Sequence, residues 1–191
     1  IALAEAVMDK PEQGDIDFKS WPMDLLADYI EKTHHRYVER AIEELKPYLT
    51  KICKVHGDSN PELHEVKQLF FESAGELTAH MKKEEFILFP HVRKLEKHLN
   101  DGSSVEAPHF GTVKNPIKMM MDEHEAEGDR FEEIARLTNN YTPPAHACNT
   151  YRVTFALLEE FQNDLHRHIH LENNILFPKA VRVEESFNSL N

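Results

Sequence analysis

Two stretches of the sequence pair a histidine with a glutamate four residues later and close on the same apolar run. One reads His80-Met81-Lys82-Lys83-Glu84-Glu85-Phe86-Ile87-Leu88-Phe89-Pro90. The other reads His168-Ile169-His170-Leu171-Glu172-Asn173-Asn174-Ile175-Leu176-Phe177-Pro178, 88 positions on. On a helix, residues i and i+4 stand one above the other on one face, about 6 Å apart. Each stretch therefore directs one imidazole nitrogen and one carboxylate to the same region. A single His-x-x-x-Glu is a common surface pair, whereas two copies with the same apolar sequel read as two halves of one site. Two more histidines extend the repeat. His35 precedes His80 by 45 residues and His124 precedes His168 by 44. The offset between halves is 89 for His35/His124 and 88 for both His80/His168 and Glu84/Glu172.

Four imidazoles and two carboxylates converging in a helical core describe a two-metal site. Nitrogen and oxygen donors without thiolate suit iron, manganese or zinc and disfavour copper(I). Carboxylates that bridge two ions are the habit of di-iron proteins built on helical bundles. The expected cofactor is therefore two iron ions per chain, held by His35, His80, Glu84, His124, His168 and Glu172. An oxo or hydroxo bridge would lower the residual charge, and open positions could take a small ligand. The same spacing puts Glu76 four residues before His80 and Asp164 four before His168, where a carboxylate can accept the imidazole's other N–H. Glu123, beside His124, is a third candidate for that role. The competing reading is a duplicated accident of packing, but burying so many titratable groups with no cation is costly.

The remaining histidines, His34, His64, His91, His98, His109, His146, His166 and His170, are expected to be ordinary packing or surface residues. His56 shares a helical stripe with His35 but lies 21 residues further on, about 30 Å along one helix, and is left out of the site. Cys53 reads as a small buried hydrophobe.

Long helices must position these groups. The first is expected from Trp21-Pro22, with Ser20 as its cap, to Gly57. Its stripe is His35, Val38, Ile42, Leu45, Leu49, Ile52 and His56, and Pro47 should bend it. A second helix starts at Asn60-Pro61-Glu62 and carries Leu69, Phe70, Leu77, His80, Glu84, Ile87 and Leu88, with Pro90 as a kink. Polar residues 100–108 read as a loop. The third helix runs from about Pro116 to Leu137 and carries His124. Thr138-Asn139-Asn140-Tyr141-Thr142-Pro143-Pro144 is a break. The fourth starts near Ala147 and carries His168 and Glu172. The fold class is all-α, an antiparallel four-helix bundle with an internal pseudo-twofold repeat. The expected division is a remnant of an N-terminal domain or a linker over 1–17, the bundle over 18–183, and a fraying tail over 184–191.

The 191 residues suit one domain, and helix formers outweigh the six glycines. A net charge of -12 argues against partnership with nucleic acid or an anionic membrane face. No apolar run reaches the length of a membrane span. Two isolated cysteines suit a reducing cytoplasm, and a homodimer is compatible with all of this.

The segments HMKKEEFILFP, HIHLENNILFP, HHRYVER, KVHGDSNPEL, MDEHEAEGD and TNNYTPP together resemble the Repair of Iron Centres family, over about residues 18 to 182. The resemblance implies a hemerythrin-like bundle with the same six residues as iron ligands. It also implies a role in restoring iron–sulfur clusters after nitrosative and oxidative stress, with damaged iron–sulfur proteins as partners. Nitric oxide reduction at the paired irons and non-catalytic binding of dioxygen or nitric oxide are the alternatives that such a site permits. Proteins of that kind carry an adjacent cysteine pair in a small N-terminal domain. The sequence has no such pair, and Ile1 to Asp17 are expected to be the last helix of such a domain.

Overall fold

The computed structural model describes residues 16–188. After a 3-10 turn at Phe18–Ser20, four long helices follow. Helix α1 spans 23–56 as Met23–Tyr29, a π-helical turn Ile30–His35 and Arg36–His56. Helix α2 spans 62–101 as Glu62–Lys83, a π turn Glu84–Leu88 and Phe89–Asp101. Helix α3 is Lys114–Leu137. Helix α4 spans 149–188 as Asn149–Leu171, a π turn Glu172–Leu176 and Phe177–Asn188. Helix α1 packs on α2 and α4, and α3 packs on the same two, which closes a ring of four. The expected all-α four-helix bundle is the fold observed. No described helix is long and apolar enough to cross a membrane.

Apolar residues at three–four spacing build the inner faces, as in Val38, Ile42, Leu45, Leu49 and Ile52 of α1, all buried. The core forms two separate clusters. One gathers residues such as Leu45, Phe70, Phe131, Phe155 and Phe161. The other gathers Leu26, Ile30, Phe89, Val92, Met120 and Phe177. Between them lie the buried His35, His80, Glu84, His124, His168 and Glu172, so a polar layer divides an otherwise apolar interior.

The π turns explain how the two Ile-Leu-Phe-Pro runs continue as helix. A proline ring clashes with the carbonyl four residues back. For Pro90 and Pro178 that residue is Phe86 or Asn174, each inside a π turn. The wider turn makes room for the ring, so neither proline ends its helix. The extra residue also rotates the face of the helix by about 100°. As a result Ile87, expected in the core stripe, is 38% exposed beside Phe86, while Leu88 and Phe89 are fully buried. Pro47 likewise sits inside Arg36–His56 without ending it.

The repeat reaches beyond the ligands to the helix starts. Glu96, twelve residues past Glu84, accepts the Met23 amide at 3.0 Å. Glu184, twelve residues past Glu172, accepts the Val113 amide at 2.9 and 3.0 Å and meets His91 Nε2 at 3.2 Å. Each buried carboxylate satisfies an amide at a helix start that has no partner within its own helix. Two expectations change accordingly. Ser20 does not cap α1; its hydroxyl donates to the Asp17 carbonyl, and the α1 start belongs to Glu96. Past Val183, where fraying was expected, Glu184 is buried and the helix continues to Asn188. The segment expected as a domain remnant lies, up to residue 15, outside the described residues, as do residues 189–191. Gly57, which follows the last residue of α1, must be glycine because His64 and the Cys53 carbonyl occupy the space where a Cβ would stand.

Candidate metal centre

Helix α1 brings in His35, α2 brings His80 and Glu84, α3 brings His124, and α4 brings His168 and Glu172. The donor atoms of His35, Glu84, His168 and Glu172 lie within 4.8 Å of one another, as do those of His80, Glu84, His124 and Glu172. Both glutamates belong to both groups. Glu84 Oε1 stands 3.4 Å from His80 Nε2, while its Oε2 stands 3.3 Å from His35 Nε2. Glu172 Oε1 is 3.1 Å from His168 Nε2, and its Oε2 is 3.1 Å from His124 Nε2. Each carboxylate thus presents one oxygen to each group. The two groups share this pair of carboxylates, and each could hold one cation.

Whether a cation fits can be judged from what the donors lack. His35 Nε2, both oxygens of Glu84 and Oε2 of Glu172 are buried with no hydrogen-bond partner. Atoms of this kind cost several kcal/mol each when nothing compensates them. All four point into the gap between the groups. Ligand–ligand separations of 3.0 to 3.4 Å match donors placed at right angles around an ion at ~2.1 Å, which stand about 3.0 Å apart. The nitrogen-rich, oxygen-containing set suits iron.

Electrostatics point the same way. Burial and the neighbouring Glu172 both oppose ionisation of Glu84, yet the His80 and His35 imidazoles hold its carboxyl below the ordinary range. Burial opposes ionisation of Glu172 too, and His168 and His124 pull it well below. Burial lowers His80, but Glu84, Glu172 and Glu123 outweigh it and raise the group to about 9. His35 is raised against burial by Glu84, Glu172 and Glu85. His168 is lowered, by burial first. The two carboxylates thus favour a proton on His80 and His35, whereas burial disfavours one on His168.

The outer nitrogens of the imidazoles have unequal partners. His80 Nδ1 meets Glu123 Oε2 at 2.7 Å, and Glu123 also pairs with Lys83. His35 Nδ1 meets Glu85 Oε1 at 3.1 Å, in a cluster with Arg36 and Lys82. His124 Nδ1 donates to the Asn173 amide oxygen at 2.9 Å. His168 Nδ1 is buried without a partner among the described residues.

Of the three expected outer carboxylates, only Glu123 meets a site imidazole. Glu76 is exposed, because four residues before His80 the α2 surface faces solvent, and α3 supplies Glu123 instead. Asp164 meets His34 Nδ1 at 2.9 Å rather than His168. His34, expected to be an ordinary residue, is buried and stacks on His168 with ring centroids 5.7 Å apart and planes 11° apart. Glu85 and Asn173 were not anticipated. Their shared position, immediately after each ligand glutamate, was the available signal. His56 stands apart from the site, at the far end of α1.

One family model and three relatives bear on this arrangement. The model of the hemerythrin HHE cation binding domain matches residues 26–180. The iron–sulfur cluster repair protein ScdA of Staphylococcus haemolyticus is 32% identical over 168 residues, covering 88% of this chain and 72% of that protein. The iron–sulfur cluster repair protein YtfE of Musicola paradisiaca is 35% identical over 187 residues, covering 96% and 78%. YtfE of Yersinia pseudotuberculosis is 35% identical over 183 residues, covering 96% and 76%. With the matched domain enclosing all six clustered residues, the chain belongs to the hemerythrin HHE cation-binding family.

Proposed function

We propose that this protein carries two iron ions and gives iron to damaged iron–sulfur clusters. His35 and His168 hold one ion and His80 and His124 the other. Glu84 and Glu172, which belong to both groups, would be shared by the two ions. The relatives, named as iron–sulfur cluster repair proteins, support the repair role.

The observation that carries donation, rather than retention, is the uneven backing of the imidazoles. Metal-bound histidines ordinarily pass their other N–H to a carboxylate, carbonyl or water, which strengthens and orients them. Here two of four have a carboxylate, one has a neutral amide, and one has none. His168 Nε2 lies 3.1 Å from Glu172 Oε1. As an iron ligand it would carry its proton on Nδ1, which is buried without a hydrogen-bond partner among the described residues. That weakens its hold on the ion and favours release.

The test is transfer. Reduced, iron-loaded protein mixed with a nitric-oxide-damaged iron–sulfur enzyme should restore its activity without added iron, and the reduced form should lose iron to an acceptor much faster than the oxidised form. The Glu172→Gln variant should not restore activity. Retained iron with many turnovers of nitric oxide to nitrous oxide would replace this reading with a reductase. Reversible stoichiometric gas binding alone would replace it with a carrier.

A further inference from the structure

A pair of reactive side chains lies at one end of the bundle, where α1 stops and α4 starts, away from the His/Glu layer. Cys148 is the residue that starts α4, with extended backbone (φ -73°, ψ 170°), and its side chain makes no capping hydrogen bond. Its sulfur instead lies 3.2 Å from His56 Nε2, the last residue of α1, 92 positions away in sequence. The imidazole is held from two sides. The Tyr151 ring meets it edge-on, with centroids 5.3 Å apart, and the His146 ring lies 6.5 Å away. His146 is itself placed by Asn60, whose Oδ1 is 3.2 Å from its Nε2. This is the arrangement of a nucleophile and a base, with the base oriented by further groups. The thiol is exposed, so a small reagent can reach it.

The other cysteine is a built-in contrast. Cys53 is buried, its sulfur donates to the Leu63 carbonyl at 3.0 Å, and burial pushes its thiol up. Helix α1 runs without interruption from Arg36 to His56, which separates His56 from His35 by about 30 Å. The pair is therefore independent of the ion positions.

We propose that Cys148 and His56 form a thiol–disulfide exchange site for low-molecular-weight disulfides such as oxidised glutathione. His56 Nε2 takes the thiol proton. The Cys148 thiolate, exposed beside His56, attacks one sulfur of the disulfide. A bond forms between Cys148 Sγ and that sulfur, the original S–S bond breaks, and its electron pair leaves on the other sulfur. The departing thiolate recovers the proton from His56. Cys148 is oxidised to a mixed disulfide and one half of the reagent is reduced to a thiol, with no other oxidant needed. Excess thiol reverses the step.

The experiment treats the whole, iron-loaded protein with oxidised glutathione and follows mixed-disulfide formation by mass spectrometry with peptide mapping. One adduct is expected, on Cys148, with Cys53 untouched. His56→Ala and the bulkier His56→Gln, both checked for unchanged helicity, should react roughly tenfold more slowly at neutral pH. The deficit should close above about pH 9.5, where a cysteine ionises without help. A purely structural role for His56 would leave the deficit in place at high pH. Unchanged rates in both variants, a deficit that persists at high pH, or equal labelling of Cys53 would overturn the assignment. Iron content should stay the same in Cys148→Ser, so failure here and failure of iron donation are separate results.

Discussion

Raising the pH of the iron-free protein from about 6 to about 9 should weaken its fold by about 3 kcal/mol. The cause is His80, which is 3% exposed and is lifted from its ordinary 6.5 to about 9 by Glu84, Glu172 and Glu123, against its burial. A group raised in the folded state stabilises the fold fully below its unfolded value and loses that contribution as the pH climbs through the folded value. Between 6.5 and about 9 the folded chain holds a proton that the unfolded chain has released. A gap of about 2.5 pH units at 1.36 kcal/mol each gives about 3 kcal/mol. His35 is raised in the same direction and steepens the decline. Below this window the slope has the opposite sign, because Glu84 and Glu172 are depressed and lose their contribution as they protonate. Urea unfolding of iron-free protein at several pH values, followed by circular dichroism, measures the curve. The His80→Gln variant should flatten it, and iron-loaded protein should not show it, since bound metal takes the place of the protons. A flat or rising stability between pH 6.5 and 9, or an undiminished decline in His80→Gln, would refute the electrostatic account of the empty cluster.

Glu172→Gln or Glu84→Gln should cost both irons together, because each carboxylate has one oxygen in each group. Metal analysis should find about two irons in the unaltered chain, and loss of one alone from either variant would count against bridging. Glu85→Gln and Glu123→Gln should let a chelator strip iron roughly ten- to a hundredfold faster, whereas Glu76→Gln, at an exposed position, should leave the stripping rate unchanged.

The six clustered residues and the four helices were legible because both rest on periodicity. A repeat of His, then Glu four residues later, reports which side chains share a face, and three–four apolar spacing reports which face is buried. The two carboxylates at the helix starts were not legible. Glu96 and Glu184 stand on amphipathic stretches rich in charge, and nothing local marks them as buried. Their partners, Met23 and Val113, lie 73 and 71 residues away. The π turns were only half visible. Pro90 and Pro178 signal a disturbed helix, but the sequence alone does not say whether the turn breaks or widens. The assignment of Asp164 and Glu76 as outer partners failed because spacing along one helix does not say which neighbour reaches the imidazole first.

The same limit hid how the halves combine. The repeat suggests that each half supplies a His, a His and a Glu as a set. In the ring of helices, however, α1 borders α4 and α2 borders α3, so each ion position draws one histidine from each half. His35 joins His168, and His80 joins His124, under two shared carboxylates. The twofold relation therefore exchanges the two ion positions and does not act within either. It extends to the outer partners by position while changing their chemistry. Glu85 and Asn173, each one residue after a ligand glutamate, meet His35 and His124. Glu123 and His34, each one residue before a ligand histidine, meet His80 and His168, the first by a hydrogen bond and the second by stacking. A carboxylate in one half is replaced by an amide or an imidazole in the other. Each group of donors consequently keeps one imidazole anchored by a carboxylate and one that is not. A symmetric set of donors is thereby held by an asymmetric frame, with one firm and one loose histidine on each side.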